Sequence, residues 1–163
     1  MNRPALMFVC AVLLAVILQV AVLPVHIATP FKPDLLLIIV VYMALRGTFE
    51  VGTPLAWLLG LLKDVFSGLY LGLNAFAFLL IFLVIKNVAD RLYAESGFLF
   101  VVTVGVATMA SVAMDLLLVL MLTQTPGIAY SIASGLIPHF LTNAFAASLV
   151  ALLPGFSRGH ETV

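Results

Sequence analysis

Charged residues are scarce in this 163-residue chain, where Asp, Glu, Lys and Arg fill 9% of positions, against about 25% in an average soluble domain. Hydrophobic residues make up 64%, and the mean hydropathy is +1.29. The formal net charge is zero, which gives no indication of a polybasic tail or a nucleic-acid-binding surface. The composition is typical of a protein that lies in a lipid bilayer, with no room for a separate soluble domain.

Cysteine is almost absent, and the single Cys10 lies inside the first hydrophobic run. One cysteine cannot form an internal disulfide, so none is expected to stabilise the fold. The sequence also lacks a Walker A motif, a Cys/His metal spacing and a dinucleotide-binding fingerprint. We therefore predict no cofactor and no metal.

Long apolar runs dominate what is present. A helix needs about 20 apolar residues to cross roughly 30 Å of hydrocarbon. The sequence predicts an all-α polytopic membrane protein with six transmembrane helices in one compact domain, over residues 5–23, 34–45, 51–67, 68–85, 97–122 and 131–153. The first run is longer than the apolar part of a signal peptide, so we interpret it as a retained span. The second run is so short that it forms either a thin membrane-spanning helix or a helix that crosses the membrane only partly.

The distribution of positive charge predicts an orientation. If the N-terminus is cytoplasmic, six spans leave only Lys32 and Lys63 on the outer side. The cytoplasmic side then holds Arg3, Arg46, Lys86, Arg91 and Arg158. This excess follows the positive-inside rule, so both termini are predicted to be cytoplasmic.

A few polar side chains interrupt the apolar runs at similar depth in the outer half of the membrane. On the fifth span, Asp115 shares a helix face with Val104, Thr108 and Ser111. At about 1.5 Å per residue, Asp115 and His139 lie at equal depth on consecutive antiparallel helices, so we expect them to pair. The predicted outer-leaflet cluster consists of Asp64, Asn74, Asp115, His139 and Asn143.

The cluster allows two interpretations from the residues alone. One is a hydrogen-bonded network that fixes helix packing, and the other is a site for a ligand, a proton or a partner helix. Asp64 and Asp115 also suggest an intramembrane aspartyl dyad, although the asparagine-rich motifs of such peptidases do not flank them. These alternatives stay open at the level of sequence.

Turn and cap residues indicate how the helices are joined. Pro24 is expected to end the first helix, and Asp34 after Pro33 is placed to cap the second. The third and fourth spans form an antiparallel hairpin, and Asp64 is expected to turn inward there while Lys63 extends to the membrane surface. The candidate packing or partner-facing residues are Pro33, Asp34, Gly60, Gly68, Gly72 and Pro138.

Several short motifs, in this order and spacing, resemble the rod shape-determining protein MreD family along most of the chain. The strongest are Pro33-Asp34-Leu35, Val51-Gly52-Thr53, the run from Gly60 to Gly68, and Leu71-Gly72, with Asp115, Pro138 and Asn143 in keeping. Lys63 departs from the pattern, because an apolar residue is expected before Asp64. A local ion pair between these two neighbours is one consequence.

The resemblance implies a non-enzymatic scaffold of the elongation machinery in the bacterial inner membrane. Members of the family work beside MreC, MreB, and RodA with its transpeptidase, and they help to direct lateral peptidoglycan synthesis. We expect this chain to bind MreC directly and to contact membrane lipids, but not to bind nucleic acid. Whether it forms a homodimer is left open. The family is also similar in fold to substrate-capture subunits (S-components) of energy-coupling-factor transporters, so a small-molecule capture subunit is the alternative, and an aspartyl peptidase the second alternative.

Overall fold

Helices form nearly all of the structure, a computed structural model that describes residues 3–26, 31–67, 71–89, 97–122 and 126–152. No strand occurs within those ranges. In chain order the elements are α1 (Arg3–Ile17), a π-helical turn (Leu18–Val22), α2 (Leu23–His26), α3 (Leu35–Arg46), α4 (Phe49–Ser67), α5 (Leu73–Ala89), α6 (Gly97–Leu122) and α7 (Pro126–Ala151).

The first helical segment does not end at Pro24, as the sequence suggested. The chain widens into the π-helical turn, where the N–H of Leu23 donates to the carbonyl of Leu18, five residues earlier. Proline cannot donate a backbone hydrogen bond, and the wider turn immediately before Pro24 shifts the bonding pattern where that donor is lost. The helix therefore continues to His26, and the π-helical turn contains Gln19.

The shortest of the long elements, α3, lies at the centre of the bundle. It packs against α1, α4, α5, α6 and α7, and seven of its 12 residues are buried. Twelve residues extend only about 18 Å, which is well short of the hydrocarbon thickness. Because other helices surround α3, most of its length contacts protein rather than lipid, and a short helix is tolerated there.

The hairpin of α4 and α5 is held together by a row of small residues. Gly52, Ala56 and Gly60 recur every four residues and therefore share one face of α4. A Cβ at position 60 would lie 2.4 Å from the Cα of Ala75, and one at position 52 would lie 2.3 Å from the ring of Phe82. The absence of these side chains allows the two helices to approach closely, and Asp64 continues the same face.

The predicted segments agree with the observed helices in several places and differ at two starts. Segments two, three and five match α3, α4 and α6 within two residues, and the predicted hairpin is present. The fourth segment begins at Leu73 rather than at residue 68, because Asp64 binds the first turn of α5. The last begins at Pro126 rather than 131, since proline suits the first helical position. Residues 90–96, between the fourth and fifth predicted spans, lie outside the described residues.

Length and hydropathy qualify two helical stretches as membrane-crossing among the described residues, Gly97–Leu117 and Ser134–Ala151. Three shorter stretches are apolar as well: Phe8–Val22, Leu35–Arg46 and Leu73–Ala89. Large apolar side chains are exposed on the outer faces of α1 and α7, among them Leu13 (56%), Leu14 (59%), Ile137 (69%) and Phe145 (66%). The helical fold is therefore compatible with a membrane protein, and the full set of six spans stays a prediction.

Gly60→Ala should destabilise the hairpin, because the added methyl group meets the backbone of Asn74 and Ala75, which cannot rotate away. We expect a loss of about 1–3 kcal/mol, typical of overpacking, measured as a lower thermal midpoint of the detergent-solubilised protein. Gly97→Ala is the matched control, since its methyl group would lie 3.4 Å from the side chain of Ala151. Equal midpoints for the two variants would contradict the packing described for α4 and α5.

Candidate functional site

Asp34 is the hub of a polar network at the end of the bundle where α3 begins. Only 3% of the residue is exposed. Its Oδ1 accepts from the N–H of Leu37 at 3.1 Å, which makes it the N-cap of α3, as the sequence predicted. The same oxygen accepts from Nε2 of Gln19 at 3.4 Å, and the N–H of Leu36 donates to Oε1 of Gln19 at 3.3 Å. The cap therefore also connects α3 to the π-helical turn.

A relay of hydrogen bonds joins the backbone of Asp34 to α6 and α7. Its N–H donates to Oδ1 of Asn143 at 2.6 Å, and Nδ2 of Asn143 donates to Oγ1 of Thr108 at 2.9 Å. Thr108 in turn donates to the carbonyl of Val104 at 2.8 Å. Asn143 is fully buried and Thr108 is 1% exposed, so each polar group requires its partner. Through these bonds the relay fixes the position of α3 relative to α6 and α7.

Lys63 neutralises the Asp34 carboxylate. Its Nζ lies 2.6 Å from Oδ2 of Asp34, and 19% of the lysine side chain is exposed. The ammonium group also lies 5.0 Å from the ring centroid of the buried Phe78, within cation–π range. The expectation that Lys63 extends to the membrane surface is wrong. Pairing with a buried carboxylate keeps it inside the bundle.

Asp64 forms a second centre at the start of α5. Oδ2 accepts from the N–H groups of Gly72 (2.9 Å) and Ala75 (3.1 Å). Oδ1 accepts from both the N–H and Nδ2 of Asn74, each at 2.9 Å. A carboxylate is favourable at a helix N-terminus because it binds free N–H groups at the positive end of the helix dipole. Lys63 and Asp64 are therefore neighbours in sequence with different partners, and the inward orientation of Asp64 is confirmed.

Asp115 and His139 do not form the predicted pair. Oδ1 of Asp115 is buried without a hydrogen-bond partner in the described part of the chain. The charges that act on it are those of Lys63, Asp34 and Asp64. His139 instead lies close to Asp34, Lys63 and the backbone of Lys32. Equal depth along two helices did not fix the directions in which their side chains project.

The five residues predicted as one cluster thus divide between two centres. Asp64 and Asn74 are hydrogen-bonded together, Asn143 belongs to the Asp34 centre, and His139 lies beside that centre. On the face of α6 that they share with Asp115, Val104, Thr108 and Ser111 are all buried.

The candidate packing residues have different positions. Gly60 contacts α5 directly. Gly72 has φ +98°, a conformation that favours glycine, and its N–H binds Asp64. Pro33 lies beside a cavity, Pro138 lies within α7, and Gly68 lies outside the described residues.

The cavity, of about 500 Å³, opens beside the Asp34–Lys63 pair between the π-helical turn and the end of α4. Its polar lining comes from Gln19, Lys32, Asp34, Lys63 and His139, and its apolar lining from Val16, Val20, Pro33, Leu36 and Phe66. Pockets of 300–1,000 Å³ are typical of small-molecule sites. The cavity therefore combines a charged floor with apolar walls.

Sequence reasoning missed Gln19, the role of Lys63, and Asp34 as the centre of the network. Two signals were present: a single glutamine in an apolar helix, and a lysine that departs from the resemblance beside the expected aspartate. A lysine inside the bundle requires a carboxylate as its partner. The position of Asp34, directly after Pro33 and before an apolar run, already predicted a helix cap. Their proximity follows only from the packing of α4 against α3.

Lys63→Met should destabilise the protein strongly, because it leaves the buried Asp34 carboxylate without its counter-ion. We expect a loss of about 3–5 kcal/mol, seen as a lower thermal midpoint in detergent. Adding Asp34→Asn should restore part of the loss, since asparagine still caps α3 and removes the unpaired charge. If the two single losses simply add in the double variant, the ion pair does not have the role described.

Asp64→Ala should cost about 2 kcal/mol or more, because four donors at the start of α5 lose their acceptor. Asp115→Asn is the comparison: it removes a carboxylate whose Oδ1 has no hydrogen-bond partner among the described residues, so the loss should stay below about 1 kcal/mol. Thermal unfolding of both variants in the same detergent measures the difference. A larger loss for Asp115→Asn would contradict the assignment.

Comparison with known proteins places the chain in a family. The model of the family described as rod shape-determining protein MreD matches residues 1–156, which is nearly the full length. No curated protein and no solved structure gives a significant match. The family is a bacterial membrane family with a role in rod-shape determination, and the spanning-length helices agree with that setting. The chain therefore belongs to the MreD family of rod shape-determining membrane proteins.

Proposed function

We propose that this chain is a non-enzymatic scaffold of the cell-elongation machinery that binds MreC and helps to direct lateral peptidoglycan synthesis. The family match over residues 1–156 carries the proposal. Two features support it: nearly all of the described residues belong to helices, and most of the buried polar groups among them are engaged in capping and joining helices. In the wider complex we place MreB, and RodA with its transpeptidase.

The proposed arrangement has six spans in one bundle, similar in fold to the S-component of energy-coupling-factor transporters, with both termini in the cytoplasm. The charge distribution along the chain supports this orientation. Under it, the starts of α3 and α5, the end of α4 and the cavity all lie towards the outer surface. The two aspartate centres then belong to the half of the protein nearest to the periplasmic part of MreC.

The geometry disfavours an aspartyl dyad of Asp64 and Asp115. Two catalytic carboxylates must share a proton around a water molecule. Asp64 instead accepts four hydrogen bonds from the start of α5, which occupy about all of its lone-pair sites. It is held as a helix cap and has no capacity left for that chemistry.

A small-molecule capture subunit is the second candidate, and the cavity beside Asp34 and Lys63 favours it. A capture subunit needs a pocket that opens to the outside, and the proposed orientation places the cavity there. Asp115, which we expected in such a pocket, is not among the lining residues. An ordered solute in density at this cavity would support the capture function, and side chains filling it would argue against it.

The scaffold proposal predicts that the tagged chain co-purifies with MreC of the same organism from a mild detergent. A polytopic protein of similar size with the same tag serves as the control. In cells depleted of the wild-type protein, the Asp115→Asn variant should restore rod shape, because a scaffold does not need the charge of a side chain whose Oδ1 bonds to no described residue. Cell outline by microscopy measures this.

Two results would argue against the scaffold. The first is an absence of MreC in the purified material while the chain itself stays folded. The second is round cells with Asp115→Asn although the variant still binds MreC, which would indicate that the carboxylate takes part in chemistry or capture.

A further inference from the structure

The cavity between the π-helical turn and the end of α4 has features that scaffolding does not require. One side of it is charged, with the Asp34–Lys63 pair, Lys32 and His139, and the other is apolar. Which ligand fits is decided by the hydrogen-bonding capacity that the protein itself leaves unused.

The acceptor in the cavity is already occupied. The Asp34 carboxylate accepts from Leu37 N–H, from Gln19 and from Lys63. The donors are not exhausted: an ammonium group has three N–H donors, and Lys63 uses one on Asp34 and makes no other hydrogen bond with a described residue. The ammonium group of Lys32 has no hydrogen-bond or ion-pair partner there either. The unused capacity therefore consists of donors, which bind an anion.

The charge of the lining agrees with an anionic ligand. Lys32 and Lys63 contribute two positive charges against the single negative charge of Asp34. Of the nearby carboxylates, Asp64 is held by four donors at the start of α5. Asp115 acts on Lys63 electrostatically but does not line the cavity. The surface presented to a ligand is thus positive.

The apolar walls add a second requirement. Val16, Val20, Leu36 and Phe66 line the cavity, and two of them continue onto the outer surface of the bundle: Val20 is 40% exposed and Phe66 is 50% exposed. On a membrane protein, such a surface contacts acyl chains. A ligand that satisfies both sides has an anionic head and an apolar tail.

We propose that this cavity binds the phosphate head group of an anionic membrane lipid, with the acyl chains lying along Val20 and Phe66. The phosphate oxygens accept hydrogen bonds from Lys32 and Lys63. The volume of about 500 Å³ lies within the range of ligand pockets. The lipid would fill the space between the π-helical turn and α4 and would contact both. This proposal does not rest on MreC binding.

The test uses the full-length protein in a neutral detergent and native mass spectrometry as the readout. Three probes are compared: phosphatidylglycerol, diacylglycerol with the same acyl chains but no phosphate, and glycerol phosphate, which lacks the acyl chains. We expect discrete binding of phosphatidylglycerol, little binding of diacylglycerol, and weak competition by glycerol phosphate. Lys32→Gln should weaken phosphatidylglycerol binding about fivefold, the effect of removing one lysine charge near a membrane surface.

Lys86→Gln is the matched control, because it removes the same charge from the last turn of α5, where the residue does not line the cavity. Lys32 lies in the non-helical segment before α3 and makes no side-chain bond with a described residue, so its variant should fold normally. Equal weakening by the two variants, or equal binding of diacylglycerol, would overturn the proposal. Glycerol phosphate competing as strongly as the lipid would show that the site binds soluble phosphate, which also overturns it. None of these readouts involves MreC, so this proposal fails or stands independently of the scaffold.

Discussion

The ion pair between Asp34 and Lys63 is the interaction on which the remaining structure depends. It places a charge from α4 against the cap of α3, and α3 contacts five other helices. Removing two charges from water is costly, and their attraction offsets this only when further hydrogen bonds complete the site. Gln19 and Leu37 supply these bonds to the carboxylate, and Asn143 accepts from the backbone N–H of Asp34. The carboxylate of Asp34 thus couples the π-helical turn to α3 and α4, while the backbone N–H of Asp34 couples the start of α3 to α7.

Both aspartate centres solve the same problem of helix ends in a low-dielectric environment. The first N–H groups of a helix have no partner within the helix, and in lipid no water is available to satisfy them. Asp34 binds those of α3, and Asp64 binds those of α5. Lys63 lies near the end of α4, where a positive charge is favourable. The polar residues therefore stabilise a bundle whose central helix is only 12 residues long, and they leave lysine donors exposed to the cavity.

The accuracy of sequence reasoning differed between local and long-range features. The cap at Asp34, the shared face of Val104, Thr108 and Ser111 on α6, and the hairpin of α4 with α5 were predictable, since each depends on residues close in the chain. The pairing of Asp115 with His139 was wrong, because depth along two helices says nothing about their relative rotation. The start of α5 was misplaced by five residues, because a side chain from α4 determines where its first turn forms.

The sequence by itself determined that the chain is helical, apolar and typical of a membrane protein, and its ordered motifs indicated the family. It determined these because composition indicates whether a chain lies in water or lipid, and local periodicity indicates which face of a helix is apolar. The tertiary structure alone decided that Lys63 pairs with Asp34, across 29 positions, and that Asp64 caps α5. The physical reason is that a buried charge selects whichever partner the packing brings within reach. The packing of α4 against α3 brings Lys63 to Asp34, and the close approach of α4 to α5 at Gly52 and Gly60 brings Asp64 to the start of α5.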